Sequence, residues 1–161
     1  MSYVLADYQQ QVVDGIYQAY RDGARNVMPV LPTGSGKTVV MGHIAHEYDG
    51  YGVSMAHRGH LVGQLSVALA REGLQHDIIA PEAVIRTICK AHMDEIGRQY
   101  YNARAPWKVA SVQTLVKRSL PDTWTRQVGM IHGDEGHHYL DDNMWGRAVS
   151  MFPNAFGLFD L

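Results

Sequence analysis

The chain has a single cysteine, Cys89, in 161 residues, so no internal disulfide can brace it and a reducing compartment suits it. It also lacks an excess of charge of either sign. Its 14 Lys and Arg against 16 Asp and Glu give a formal net charge of -2, too weak a field to draw in a polyanion from a distance. Any contact with nucleic acid must therefore use a local patch. No apolar run is long enough to span a bilayer, and the opening residues carry neither a basic lead nor a signal-peptide core. The expectation is a soluble, cytoplasmic protein with no membrane partner. Internal repeats and low-complexity segments are missing too, which argues against a solenoid or a disordered linker. What is present is 46% hydrophobic residues and 19% charged ones, enough for one core in a single domain over residues 1–161.

Residues 27–38, VMPVLPTGSGKT, organise the rest. They read as an apolar strand running into a glycine-bearing turn and then a helix, which is the local architecture of a phosphate cradle. Gly34 and Gly36 let the backbone turn so that successive N–H groups point inward, and the first helical turn adds its own N–H groups and the positive end of its dipole. Lys37 supplies a point charge for β- and γ-phosphates, and the Thr38 hydroxyl can reach a magnesium ion between them. Leu31 stands where the general pattern wants a further glycine. Pro29, without an N–H, falls where a buried central strand is expected, so a bulge or an unpaired position is anticipated there.

Pro32-Thr33-Gly34-Ser35-Gly36-Lys37-Thr38 resembles the form of this motif used by superfamily 2 helicases and translocases, and three further stretches resemble that superfamily in the same order. Leu5-Ala6-Asp7-Tyr8-Gln9 is similar to its glutamine motif, with Ala6 where Arg is usual; a Gln amide both donates and accepts, as an adenine edge requires, so Gln9 is the candidate purine contact. Ala56-His57-Arg58-Gly59-His60-Leu61-Val62-Gly63-Gln64 resembles motif Ia, where Arg58 would meet a nucleic-acid phosphate through its forked guanidinium. Val109-Ala110-Ser111-Val112-Gln113-Thr114-Leu115 resembles the Gln-Thr-Leu motif, which makes Ser111 and Thr114 candidate backbone contacts, although the same hydroxyls serve equally as a helix N-cap. Asp134-Glu135-Gly136-His137-His138 resembles motif II. That resemblance implies that Asp134 holds magnesium, that Glu135 orients and deprotonates the attacking water, and that His137 couples the nucleotide site to the rest of the machine. His132 and Gly133 stand where the family's strand is continuously apolar. The same segment also gathers several possible metal ligands, but the His-Glu-x-x-His spacing is missing and no cysteine lies nearby, so motif II explains more of it.

Between these motifs the apolar periodicity predicts helices over 7–21, 39–48, 61–72, 82–100 and 144–151, and strands over 52–56, 76–80, 109–111, 128–132 and 155–159. The stripe Ile85, Ile88, Cys89, His92 and Ile96 reads as core, and residues 100–108, aromatic and basic, as a loop with the composition to stack on bases or pack on itself. Strand-helix alternation predicts an α/β fold: a doubly wound, mainly parallel sheet, which by resemblance is one RecA-like P-loop NTPase lobe. Nothing before residue 161 resembles the superfamily's third motif, and the expectation is a first lobe without the second. The resemblance implies an ATP-binding lobe of a nucleic-acid-dependent ATPase, a helicase or translocase like those of phages and restriction systems. Its expected cofactors are ATP and Mg2+, and its expected partners are DNA rather than RNA, bound weakly, and a second lobe or partner chain. The alternative is a nucleotide-binding or interaction module without useful turnover.

Overall fold

Apolar strands flanked by amphipathic helices bury both strand faces only when helices cover the sheet on each side, and the chain adopts that arrangement. The computed structural model describes residues 5–29, 36–57, 59–133 and 143–159. The strands are β1 (Asn26–Val27), β2 (Tyr51–Ala56), β3 (Asp77–Ile79), β4 (Trp107–Ser111), β5 (Val128–Gly133) and β6 (Phe156–Phe159). They form one six-stranded sheet in the order β1-β6-β5-β2-β4-β3, with every pairing parallel. The helices are α1 (Asp7–Arg21), α2 (Lys37–Glu47), α3 (Gly59–Arg71), α4 (Glu82–Ile96), α5 (Val112–Lys117), α6 (Asp122–Gln127) and α7 (Asn143–Ser150).

Two apolar layers result. Val13 and Ile16 of α1, Val40 and Ile44 of α2, Leu69 of α3 and Ile88 of α4 pack on one sheet face with Ala56, Val109 and Leu158. Leu115 of α5, Trp124 of α6 and Ala148 of α7 pack on the other with Val53, Met55, Ile131 and Phe159. The doubly wound expectation is met. Helix α4 ends at Ile96 rather than running to residue 100, because Gly97 adopts φ +84° and its N–H turns back to the carbonyls of His92 and Met93. The short α5 and α6 begin at Val112 and Asp122, where the sequence offered a cap and a proline but too few residues for a visible period.

The proline irregularity resolves simply. Among the described residues β1 is an edge strand of two residues, paired only with β6, and Pro29 lies just beyond it. A missing N–H costs little at such a place.

Glycines inside strands make room for large rings. Trp107 is 1% exposed, and its indole crosses the neighbouring strand at Gly52, where any Cβ would collide with the ring. Its Nε1–H donates to Ser54 Oγ at 3.0 Å. Gly129 does the same for the Tyr48 hydroxyl and is also the extra residue of a bulge, since Tyr51 faces Val128 while Gly52 faces Met130. The bulge interrupts the side-chain alternation, so that Val128 and Met130, two positions apart, lie in opposite layers. Trp107→Ala is expected to cost about 3–5 kcal/mol and Gly52→Ala about 1–3 kcal/mol, the first by cavity and the second by overpacking. Urea unfolding of both variants checks the order of the two effects.

Candidate nucleotide and nucleic-acid site

Because all strands run parallel, their carboxyl ends share one edge, and the loops leaving that edge carry the motifs. β1 leads toward residues 30–35, β2 toward 58, β4 into α5, and β5 toward residues 134–142. Thr33, Gly34, Ser35, Arg58, Asp134, Glu135 and His137 lie outside the described residues; the elements that deliver them lie within.

The described part of the cradle is the start of α2. Gly36 is its N-cap, in the left-handed region at φ 80°, ψ 36°, a conformation that only glycine adopts without strain. Lys37 and Thr38 are the first two helical residues, half-buried and exposed respectively. Their N–H groups belong to the turn that no intrahelical acceptor reaches, so the helix start presents donors and a partial positive charge.

Gln9 reaches this same point from α1. It is 8% exposed and continues the buried stripe of Val13 and Ile16, while Tyr8 is 44% exposed. Its Oε1 accepts from the Ala6 N–H at 3.0 Å, half of a capping box, which fixes the amide's orientation. A Cβ placed on Gly36 would lie 2.5 Å from Gln9 Nε2. The glutamine motif and the phosphate cradle, 27 positions apart (36 − 9), are therefore in contact, and the cradle is a space that a side chain at 36 would fill. A helix start with this glycine, a lysine and a hydroxyl fits a triphosphate with magnesium.

At the end of β4 the Ser111 hydroxyl is buried and engaged with Thr114. It accepts from the Thr114 N–H at 3.1 Å and donates to Thr114 Oγ1 at 2.9 Å. The N-cap reading of these residues holds, and of the pair only the half-buried Thr114 faces outward. In residues 100–108, Trp107 is core and Lys108 pairs with Asp77 at 2.7 Å while lying 5.5 Å from the Trp124 ring centre; Arg104 stays exposed. Self-packing thus claims most of that segment.

β5 runs unbroken through His132 and Gly133. His132 pairs with Ser54 and Leu158, and Gly133 with Met55 and Phe159, so the strand end before Asp134 is held between two neighbours. Burial drives the His132 pKa down to about 3, so the ring is neutral. No cluster of potential metal ligands occurs among the described residues. A groove of about 650 Å3 opens beside Thr38, but beyond Thr38 and Val39 its walls are α3 and α4, away from β5 and Gln9.

One buried network carries no motif and was not read from the sequence. Ser66 of α3 joins His76, ahead of β3, and His92 of α4, and all three side chains are 0% exposed. His76 Nδ1–H donates to the Leu74 carbonyl at 2.9 Å, so its Nε2 accepts from the Ser66 hydroxyl at 2.6 Å. His92 Nδ1 accepts from the Tyr100 N–H at 3.1 Å, so its Nε2–H donates to Ser66 Oγ at 2.8 Å. Each tautomer is fixed by the next bond, and both rings must be neutral. The only sequence signal was His92 on the apolar stripe of α4.

This architecture, a parallel α/β sheet with a glycine-capped helix start after its edge strand, defines the class of RecA-like P-loop lobes. The match to known proteins is consistent with that: residues 2–159 fit the family described as "Type III restriction enzyme, res subunit", and the chain belongs to it, within the superfamily 2 helicases. It is 30% identical over 146 residues to IRC3 of Saccharomyces cerevisiae, which is named as an ATP-dependent helicase; the match covers 84% of this chain and 19% of that protein. Two solved structures of the UvsW helicase from bacteriophage T4 share the fold. One has a TM-score of 0.59 at 22% identity, covering 96% of this chain and 51% of its own. The other has a TM-score of 0.61 at 20% identity, covering 94% and 29%. The chain thus spans about half or less of each of these proteins.

Proposed function

We propose that this chain is the ATP-binding lobe of a nucleic-acid-dependent ATPase, a helicase or translocase. The observation that carries the reading is the meeting of Gln9 with the Gly36 cap of α2 at the sheet edge toward which β5 runs. Gly34, Ser35, Gly36 and the first turn of α2 would surround the phosphates with Thr33 alongside, and Lys37 would neutralise them. Gln9 would read the adenine edge. Thr38 and Asp134 would hold Mg2+, whose role when bound is to offset charge on the phosphate oxygens. Glu135 would orient the water and take its proton, and His137 would link this site to the rest of the machine.

The experiment that tests the catalytic part is Glu135→Gln. An amide cannot accept the proton at neutral pH, so calorimetry should find ATP binding within about twofold of the parent while phosphate release falls by about 10²-fold or more. Equal turnover in both would remove Glu135 from the role of base. Turnover by residues 1–161 alone is expected to be slow, because an arginine finger supplied by a second lobe or partner chain adds roughly 10³ to 10⁵ in rate.

Arg58 and Thr114, with Ser111 holding Thr114 in place, would touch the backbone of a DNA strand, a second lobe or partner chain closing over it. With so few contacts and a net charge of -2, binding should be weak and shallow in salt, each neutralised phosphate adding about 0.7 to the slope for a single strand. Fluorescence anisotropy with a labelled single strand across a salt series reads this, and Arg58→Ala should lower the slope by about that amount. Tight binding insensitive to salt would place the polymer surface elsewhere.

A further inference from the structure

Just beneath the helix that starts at the cradle lies a small, partly open pocket of about 50 Å3, bounded by Thr38 and Gly42 of α2, Leu65 and Leu69 of α3, and Ser54 and His132 of the sheet. Ser54 and His132 are register partners on adjacent strands and lie in the same layer. His132 is 2% exposed, and its Nε2 has no hydrogen-bond partner among the described residues. Ser54 Oγ accepts from Trp107 and keeps its own O–H to donate. A nitrogen buried in this way carries its full desolvation penalty unless something in the cavity pairs with it. The volume exceeds the roughly 10–15 Å3 that one water requires, and three polar side chains line it, within the usual range of two to four partners for a buried water. Among the described residues that bound the cavity, one histidine and two hydroxyls with no carboxylate suit a neutral guest rather than a cation.

We propose that a buried water in this cavity joins His132 and Ser54 to Thr38, making His132 a positioning residue that sets the β5 end against the first turn of α2. The geometry gives this a purpose. His132 stands two positions before Asp134, and Thr38 lies on the other element expected to face magnesium, so the water spans the two supports whose separation the ion must match. The role in nucleotide binding rests on the function proposed above; the water itself does not.

The test compares His132→Leu, which removes the polar atom at similar volume, with His132→Gln, which keeps one near the position of Nε2. ATP affinity is measured by calorimetry with Mg2+ and with EDTA, alongside thermal unfolding. His132→Leu should cut the gain in affinity due to magnesium by about tenfold, with an unfolding temperature equal to or above the parent's, and His132→Gln should keep the gain within about twofold. An unchanged gain in His132→Leu overturns the positioning role. So does a loss of unfolding temperature in both variants with the gain intact, which marks a merely structural residue. A parent that binds no ATP refutes the nucleotide reading and the positioning role with it. The water is decided separately, by a high-resolution crystal structure of the parent. Density within hydrogen-bond distance of His132 Nε2 and Ser54 Oγ supports it, and a dry cavity overturns it.

Discussion

Replacing Lys37 by alanine is expected to weaken binding of ATP with magnesium by about 10- to 100-fold, measured by calorimetric titration. Lys37 is the first residue of α2, next to a glycine cap that leaves no side chain between the helix start and the phosphates. The cradle's N–H groups and dipole remain in the variant, so binding should not vanish. What is lost is one charge-assisted contact, worth about 1.5–3 kcal/mol. Lys90→Ala supplies the control, since Lys90 is exposed on α4 and is not among the residues lining the groove beside Thr38, and its loss should leave affinity within about twofold. Equal affinities for Lys37→Ala and the parent would sink the phosphate assignment.

Acid should destabilise the chain well before carboxylates titrate. Burial lowers the His76 pKa from 6.5 to about 4, opposed by the bond to the Leu74 carbonyl and aided by His92; burial lowers His92 too, against the pull of Glu95. Above about pH 6.5 these rings are neutral whether the chain is folded or not, and they leave stability independent of pH. Below it the unfolded chain takes up protons that the native network refuses, because a proton on His92 Nδ1 would face the Tyr100 N–H and one on His76 Nε2 would displace the Ser66 hydroxyl proton. Stability therefore falls from about pH 6.5 toward pH 4, and the His76 contribution levels off there. At about 1.4 kcal/mol per pH unit, His76 alone removes on the order of 3 kcal/mol, a large share of the roughly 5–15 kcal/mol typical of a domain. Urea midpoints at about pH 7.5, 6, 5 and 4 measure the slope, to which His92 and the buried His132 add in the same direction, so it should equal or exceed that one-histidine linkage value. His76→Gln should make it shallower by about one histidine's share, leaving the part due to His92 and His132. A midpoint that held constant down to about pH 5 would mean that the histidines ionise in place.

The local sequence determined a good deal on its own. Residues 36–38 announce a cradle because glycine, lysine and threonine do local work there, and the periodicities of α1, α3 and β2 are complete within each segment. The alternation of those segments sufficed for a doubly wound sheet, since parallel strands need covered crossovers. The sequence did not tell which half of a dual-purpose residue would prevail. Ser111 became a cap and Trp107 a core ring, because burial depends on what lies opposite, Thr114 in one case and Gly52 in the other.

Contacts between distant positions were decided only by the fold. Gln9 meets Gly36 because α1 and α2 lie side by side in one layer, and Ser66, His76 and His92 meet because α3 and α4 pack against the edge of the sheet. The direction of His132 is the sharpest case. Along a strand, alternate residues point to opposite faces, so a single inserted residue exchanges the two sets. The bulge at Gly129 makes that exchange and puts His132 in the same layer as Thr38's helix. A bulge is a property of the pairing between two strands, and neither strand's sequence contains it alone.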